Sequence, residues 1–156
     1  MTVDELLQIL TGSIGSFGFA LLFNVRGKRV WVATLGGLLS WLIFLVLSRF
    51  IDSEPINYFI VSFLISVYAE AMARVMKTPT TTFITTSLIP LIPGSSLYYT
   101  MAYAFQSDMS RFLGKAVYTL ELAAALALGV IAATAVTKLL YNGLYAAAKR
   151  RSKADE

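Results

Sequence analysis

Five long apolar runs are the feature that most restricts what this chain can fold into. A bilayer core about 30 Å thick is crossed by roughly 20 apolar residues in a helix, and each run comes close to that length. Because the connections between the runs are short and polar, no soluble domain is expected. The predicted spans are about 6–23, 30–50, 57–76, 82–105 and 115–141, followed by a short basic tail, 142–156. The sequence therefore predicts an all-α integral membrane protein, with residues 1–156 in a single transmembrane domain of about five helices.

The composition supports this class and excludes several kinds of chemistry. Hydrophobic residues make up 57% of the chain and charged residues only 14%, against roughly 25% charged residues in soluble domains. The sequence has no cysteine and no histidine, which excludes thiol nucleophiles, imidazole bases and the common zinc and haem ligands. It also has no phosphate-binding glycine loop and no base to accompany its serines. We therefore expect no enzyme activity, no metal and no cofactor, and a lipid bilayer rather than nucleic acid as the partner of its basic residues.

The basic residues predict the orientation in the membrane. Such residues concentrate on the cytoplasmic side, and ten of the 13 lie around the ends of spans one, three and five: Arg26, Lys28, Arg29, Arg74, Lys77, Lys138, Lys149, Arg150, Arg151 and Lys153. The opposite side holds Arg49, Arg111 and Lys115 beside five acidic residues. The chain is therefore predicted to be a multi-pass protein of a bacterial-type plasma (inner) membrane, with its N-terminus outside and its C-terminus in the cytoplasm. Asp4 and Glu5 also favour a retained first helix over a cleaved signal peptide.

The fourth span contains Pro90-Leu91-Ile92-Pro93-Gly94, which predicts a break near its middle. Each proline lacks a backbone donor and clashes with the carbonyl four residues earlier. Freed backbone groups at this depth are tolerated only inside protein or beside water, and many secondary transporters bind substrates and ions at such broken helices. The alternative is a proline kink without a ligand. The predicted substrate-binding or helix-break residues are Thr86 in the hydroxyl-rich first half, then Pro90, Pro93 and Gly94, and Ser95 and Ser96, whose amides would open a second half-helix.

Two acidic residues within the predicted spans are candidates for ion coupling or ion pairing. Glu70 lies near one end of span three, and Arg74 follows it by four residues on the same helix face, a spacing that suits an ion pair. Glu121 lies two turns into span five and has no basic residue at this spacing. A carboxylate at membrane depth requires a partner or water. We therefore predict a structural pair or a coupling role for Glu70, and a protonatable or substrate-facing role for Glu121.

Span five also carries small residues at every fourth position, which lie on one stripe of a helix. Small side chains at this spacing let helices approach closely. The stripe predicts either packing within the chain or a surface for a second protein. Its members are Ala125, Gly129, Ala133 and Thr137.

Three segments resemble the threonine/serine exporter family. They are Phe19-Ala20-Leu21-Leu22-Phe23-Asn24 before a basic turn, Gly36-Gly37 in span two, and Ile89-Pro90-Leu91-Ile92-Pro93-Gly94 leading to Tyr98. The resemblance covers nearly the whole chain, and it is to the small C-terminal half of the family, which occurs as a separate protein in two-gene systems. It implies matching positions at Phe23, Asn24, Pro90, Pro93, Gly94 and Tyr98, and it adds Tyr98 to the predicted site.

The resemblance also implies a function. It implies secondary export of small hydroxy amino acids, or of dicarboxylates such as succinate, driven by an ion gradient. A larger membrane subunit of the same family is implied as a partner, and copies of the chain itself are the other partner considered, because the sequence contains only one broken helix. The alternative function is a non-transporting scaffold or regulatory subunit that stabilises a partner. The two functions differ in whether the break lines a solvated cavity or is packed dry.

Overall fold

The computed structural model of this chain describes the backbone of residues 3–152 and the side chains of residues 3–141. Within that range the chain is helical and contains no strand. The helices are α1 (Val3–Leu22), α2 (Lys28–Leu47), α3 (Glu54–Val75), α4 (Thr80–Ser87), α5 (Gly94–Phe105) and α6 (Met109–Ser152), with a 3-10 turn, Ile89–Leu91, between α4 and α5. Four of these, α1, α2, α3 and the first 33 residues of α6, are long and apolar enough to cross a membrane. The predicted all-α membrane fold is confirmed.

The broken fourth span is also confirmed. α4 ends at Ser87 and α5 begins at Gly94, so the break comprises residues 88–93. Pro90 has no N–H, and the carbonyl of Thr86 therefore loses its helical donor. Between α4 and α5 the chain forms only a single 3-10 turn, Ile89–Leu91.

Three helices end with the same turn, in which one non-glycine residue adopts the left-handed conformation. These residues are Asn24, Lys77 and Ser107, with φ values of 58°, 50° and 58°. Beyond Asn24, the amide of Val25 donates to the carbonyl of Ala20 at 2.9 Å. Corresponding bonds follow the other two residues, so each turn is a Schellman motif. Two of these turns bring the α1–α2 and α3–α4 loops to the same end of the bundle.

All five predicted spans begin later than the corresponding helices, and α3 and α6 show the local signals that explain the earlier start. α3 starts at Glu54 rather than 57, and α6 starts at Met109 rather than 115. Pro55 occupies the first turn of α3, where proline is favoured because its missing N–H is not needed. The Asp108 carboxylate accepts a bond from the amide of Arg111 at 3.1 Å, which caps α6. By hydropathy these polar segments are loops, but they contain the signals that start helices.

The packing of the helices separates the two halves of the broken span. α1 and α2 form a hairpin, and α4 with the 3-10 turn packs against α1, α2 and α3. α6 packs along α3, and α5 packs on α6. The first half of the broken span is therefore central, whereas the second half lies at the edge of the bundle.

α6 packs closely against α3 at Gly129. A Cβ built at this glycine would overlap Ser62 Oγ and lie 2.6 Å from the carbonyl oxygen of Phe59, so only glycine fits there without movement of the helices. Ala133, one turn later, is also fully buried. The stripe of small residues in α6 is therefore a contact within the chain.

The C-terminal part of α6 extends beyond the fifth predicted span. The helix continues from Tyr141, where that span ends, to Ser152, so it includes most of the predicted tail. The Arg74 guanidinium lies 4.8 Å from the centroid of the Tyr141 ring, which connects the end of α3 to α6. The side chains of residues 142–152 and all of residues 153–156 lie outside the described part of the chain, and with them Lys149, Arg150, Arg151 and Lys153.

Candidate functional site

The predicted residues around the break divide into two groups with different surroundings. At the end of α4, Thr86 and Ser87 are fully buried among the central helices, and Pro90 in the 3-10 turn is partly buried. The residues that follow belong to the edge of the bundle, and the structure does not bring them together with Thr86. Of these, Pro93 is partly exposed, Ser96 is buried, and three are exposed: Gly94, Ser95 and Tyr98.

The tightest packing at the break involves two glycines of α2 that the predicted site omits. A Cβ built at Gly36 would overlap Ser87 Oγ and lie 2.8 Å from Ser87 Cβ, and one at Gly37 would overlap the Ser16 side chain of α1. We call these two pairs the glycine contact. At Gly94, by contrast, no atom lies within 4 Å of such a Cβ. The signal in the sequence was the adjacent glycine pair in the middle of a span, because small residues permit close helix approach.

The glycine contact contains two hydroxyl groups with unused hydrogen-bonding capacity. Ser16 Oγ and Ser87 Oγ are buried and have no hydrogen-bond partner among the described residues, as is also true of Ser66 on α3. Several other hydroxyls in these helices donate to a carbonyl of the preceding turn; Thr86 Oγ1 does so to the Thr82 carbonyl at 2.9 Å. A buried polar group without a partner costs about 1–3 kcal/mol. A ligand that reached Ser16 and Ser87 could therefore form hydrogen bonds that these hydroxyls lack.

A recess of about 190 Å³ lies against the other face of the break. Its walls are Gln8, Thr11 and Gly12 of α1, Trp41 of α2 and Pro90, and we call it the proline recess. The indole Nε1 of Trp41 donates to Gln8 Oε1 at 3.3 Å. The lining is therefore partly polar, although most exposed side chains of α1 are apolar.

Comparison with known protein families agrees with this geometry. The chain matches the family described as Threonine/Serine exporter, ThrE, over residues 8–136. It belongs to that family. Among curated proteins and solved structures, none matches the chain. The matched range contains the glycine contact and the break, so the predicted family is confirmed, and the chain is an exporter-type transporter subunit with several membrane-spanning helices.

A second recess of the exporter subunit, of about 320 Å³, lies at the opposite end of α4, between the α1–α2 and α3–α4 loops. Its lining includes Asn24, Arg26, Arg29, Thr78, Pro79 and Thr82, and we call it the basic pocket. The eight residues of α4 extend from this pocket to Ser87. The glycine contact therefore lies between the basic pocket and the proline recess.

The two membrane carboxylates of the exporter subunit have different surroundings. Glu70 is buried, and its Oε2 lies 3.0 Å from Nη2 of Arg74. Glu121 is exposed on α6 and makes no hydrogen bond or ion pair within the described residues. Neither carboxylate bonds to the break. Glu70 is thus held by a neighbour on its own helix, whereas the oxygens of Glu121 remain free for water or another chain.

Proposed function

We infer that this chain is the smaller subunit of an ion-gradient-driven exporter, and that the substrate passes along its broken fourth span. The proposed substrates are threonine and serine, or a small organic acid such as succinate. The observation that supports this most directly is the position of the glycine contact. It closes the centre of the bundle between the proline recess and the basic pocket, and it contains two hydroxyls without partners.

The glycine contact has the properties expected of a gate. Gly36 and Gly37 allow Ser87 and Ser16 to lie against the backbone of α2 with no space between them. A small displacement of α2 from both α1 and α4 would uncover the two hydroxyls, and a bound hydroxy amino acid or carboxylate would then supply the missing hydrogen bonds. Binding would therefore favour the open state. The break provides a bending point, because proline interrupts the helical hydrogen bonds there.

A larger membrane subunit is proposed to complete the path. α5 packs on α6 and leaves Tyr98, Tyr99 and Phe105 exposed, so this chain does not enclose the second half of the broken span. Transporters built on broken helices use a pair of them, and the sequence contains one. We propose a larger subunit of the same family as the partner, with further copies of this chain as the alternative, all within the lipid bilayer. No catalytic chemistry is part of the proposal.

The alternative function, a non-transporting scaffold, is favoured by the dry packing of the glycine contact. Ser16 and Ser87 have no exposed surface, and a contact that never opens would only brace the bundle. A brace gains nothing from an unpartnered hydroxyl, whereas a gate that binds substrate requires it. The two functions therefore predict different effects when the hydroxyl is removed.

Replacing Ser87 with alanine should separate the two functions. Removing an unpartnered buried hydroxyl keeps the packing and relieves a desolvation cost, so we expect thermal stability to be unchanged or raised by up to about 1 kcal/mol. Transport should fall about tenfold, the equivalent of one hydrogen bond to the substrate. The measurement is counterflow of labelled threonine and of labelled succinate in proteoliposomes that contain this chain and the proposed larger membrane subunit.

Ser13→Ala is the matched control. Ser13 is also buried on α1, but its hydroxyl donates to the Ile9 carbonyl at 2.7 Å, so its removal should leave counterflow unchanged. Wild-type counterflow in stable Ser87→Ala and Ser16→Ala proteins would contradict the gate and favour the scaffold.

The proposed orientation places the basic pocket in the cytoplasm and the N-terminus outside. It rests on the concentration of basic residues at the pocket end. The chain has no native cysteine, so any labelling comes from the single cysteine that is introduced. A cysteine at Ser53 should react with an impermeant maleimide in intact cells, and a cysteine at Ser152 only after permeabilisation. Reaction of both from the same side would contradict this orientation.

A further inference from the structure

The arginines of the basic pocket differ from the other arginines near the ends of the bundle in that no carboxylate in the described part of the chain neutralises them. At the end that holds the N-terminus of α1, Arg49 lies 2.6 Å from Glu5, and Arg111 is paired with a nearby aspartate at 3.4 Å. At the opposite end, Arg26 and Arg29 line the basic pocket, and no carboxylate of the described residues pairs with either. The pocket therefore has positive charge that the described chain does not balance.

Helix dipoles add to this positive charge. α2 begins at Lys28 and α4 at Thr80, so the amino ends of both helices lie at the pocket end. Neither has a side-chain cap, since Gly27 and Pro79 occupy the capping positions. The first turn of α2 contains basic residues and no acidic one, although cations are unfavourable at the amino end of a helix. A bound anion would interact favourably with the amino ends of both helices and would reduce the repulsion between the α2 dipole and the basic residues of its first turn.

The side chains of the pocket are arranged to hold a small anion. Arg26 Nε donates to Asn24 Oδ1 at 2.8 Å, which fixes the guanidinium and leaves its terminal Nη groups for a ligand. Arg29 lies in the same lining, and Thr78 and Thr82 contribute hydroxyl-bearing side chains from the α3–α4 side. A guanidinium presents a planar fork that matches a carboxylate. The volume of about 320 Å³ is at the lower end of the range for small-molecule sites, roughly 300–1,000 Å³.

We propose that the basic pocket binds the carboxylate group of the transported solute before it reaches the glycine contact, and so selects small carboxylates. This inference rests on the proposed function for the identity of the solute. The pocket and the glycine contact lie at the two ends of α4, so a solute held at Arg26 and Arg29 lies on the path to the unpartnered hydroxyls. Uncharged solutes of the same size would not bind at the basic pocket before reaching the glycine contact.

The test is equilibrium binding to the full chain in nanodiscs of phosphatidylcholine, measured by titration with succinate and detected by saturation-transfer NMR. Arg26→Gln/Arg29→Gln should weaken succinate binding at least tenfold. Lys28→Gln is the control, because Lys28 carries a charge beside Arg29 in the first turn of α2 but does not line the pocket. Succinate binding to this variant should change less than twofold. Succinamide, the neutral analogue, should not bind to the wild-type protein.

Equal weakening by Lys28→Gln, or unchanged binding in the double variant, would overturn the proposal, because the pocket would then have no specific role.

A lipid headgroup is the other source of an anion. Repeating the titration with phosphatidylglycerol in the nanodiscs distinguishes the two. Unchanged succinate affinity supports a solute site, and loss of succinate binding identifies a lipid site and overturns the proposal. The nanodisc titration measures binding without transport. If succinate binds as expected but counterflow fails, the result therefore counts against the proposed function and not against the pocket.

Discussion

Gly37→Ala should abolish most transport while leaving the protein in the membrane. The added methyl group would overlap the Ser16 side chain, and overpacking of this kind typically costs 1–3 kcal/mol. α1 or α2 must shift to accommodate it, which disturbs the closed gate. Insertion depends on the average apolarity of the span, which alanine does not lower. We expect counterflow to fall about tenfold or more, the rate equivalent of about 1.4 kcal/mol, with unchanged protein in the membrane fraction.

Two variants make this result specific. Gly15→Ala adds the same methyl group to α1 at a position with no atom within 4 Å, so it should transport normally. Gly37→Ala/Ser16→Gly removes the overlapping side chain and should recover the thermal stability of Ser16→Gly alone. Normal counterflow in Gly37→Ala, or equal loss in Gly15→Ala, would show that the closeness of this contact does not matter for transport.

The parts of the structure that the sequence predicts depend on local chemistry. Proline removes its own N–H and blocks the preceding turn wherever it occurs, so the break at Pro90 follows from the residue itself. The spans follow from the length of the apolar runs. The contact between Glu70 and Arg74 follows from helical spacing, because residues four apart lie on one face.

The parts that the sequence does not predict depend on how separate elements meet. Thr86 and Tyr98 lie on one predicted span, yet one is buried and the other is exposed, because α4 packs centrally and α5 packs on α6. The partner of each glycine in the contact lies on a different helix, and no spacing within α2 identifies it. The same holds for the basic pocket, where two loops meet although about 50 residues of chain separate Arg26 from Thr78.

The exposed position of Glu121 makes it the stronger candidate for ion coupling. Its neighbour Leu122 is buried against α3, and Gly129 on the same side of α6 packs there as well. Glu121 lies about 100° around the helix from Leu122, on a flank of this contact face where Val117 and Leu128 are also exposed. A carboxylate in an apolar helix face requires water or a partner group. Glu70 already has such a group in Arg74, whereas Glu121 does not within the described residues.

Glu121→Gln should remove proton-driven uphill export and leave exchange of substrate intact. Glutamine keeps the size and hydrogen bonding of the side chain but cannot bind and release a proton, so a pH gradient should no longer concentrate substrate, and uphill export should fall about tenfold or more. Counterflow, which needs no proton transfer, should remain within about twofold of wild type. Glu121→Asp should retain partial coupling because it still titrates.

Glu70→Gln is the control: it weakens the pair with Arg74 and should lower thermal stability more than it lowers coupling. Uphill export by Glu121→Gln at the wild-type rate would place coupling elsewhere, at Glu70 or in the larger subunit, and loss of folded protein would indicate a structural role instead.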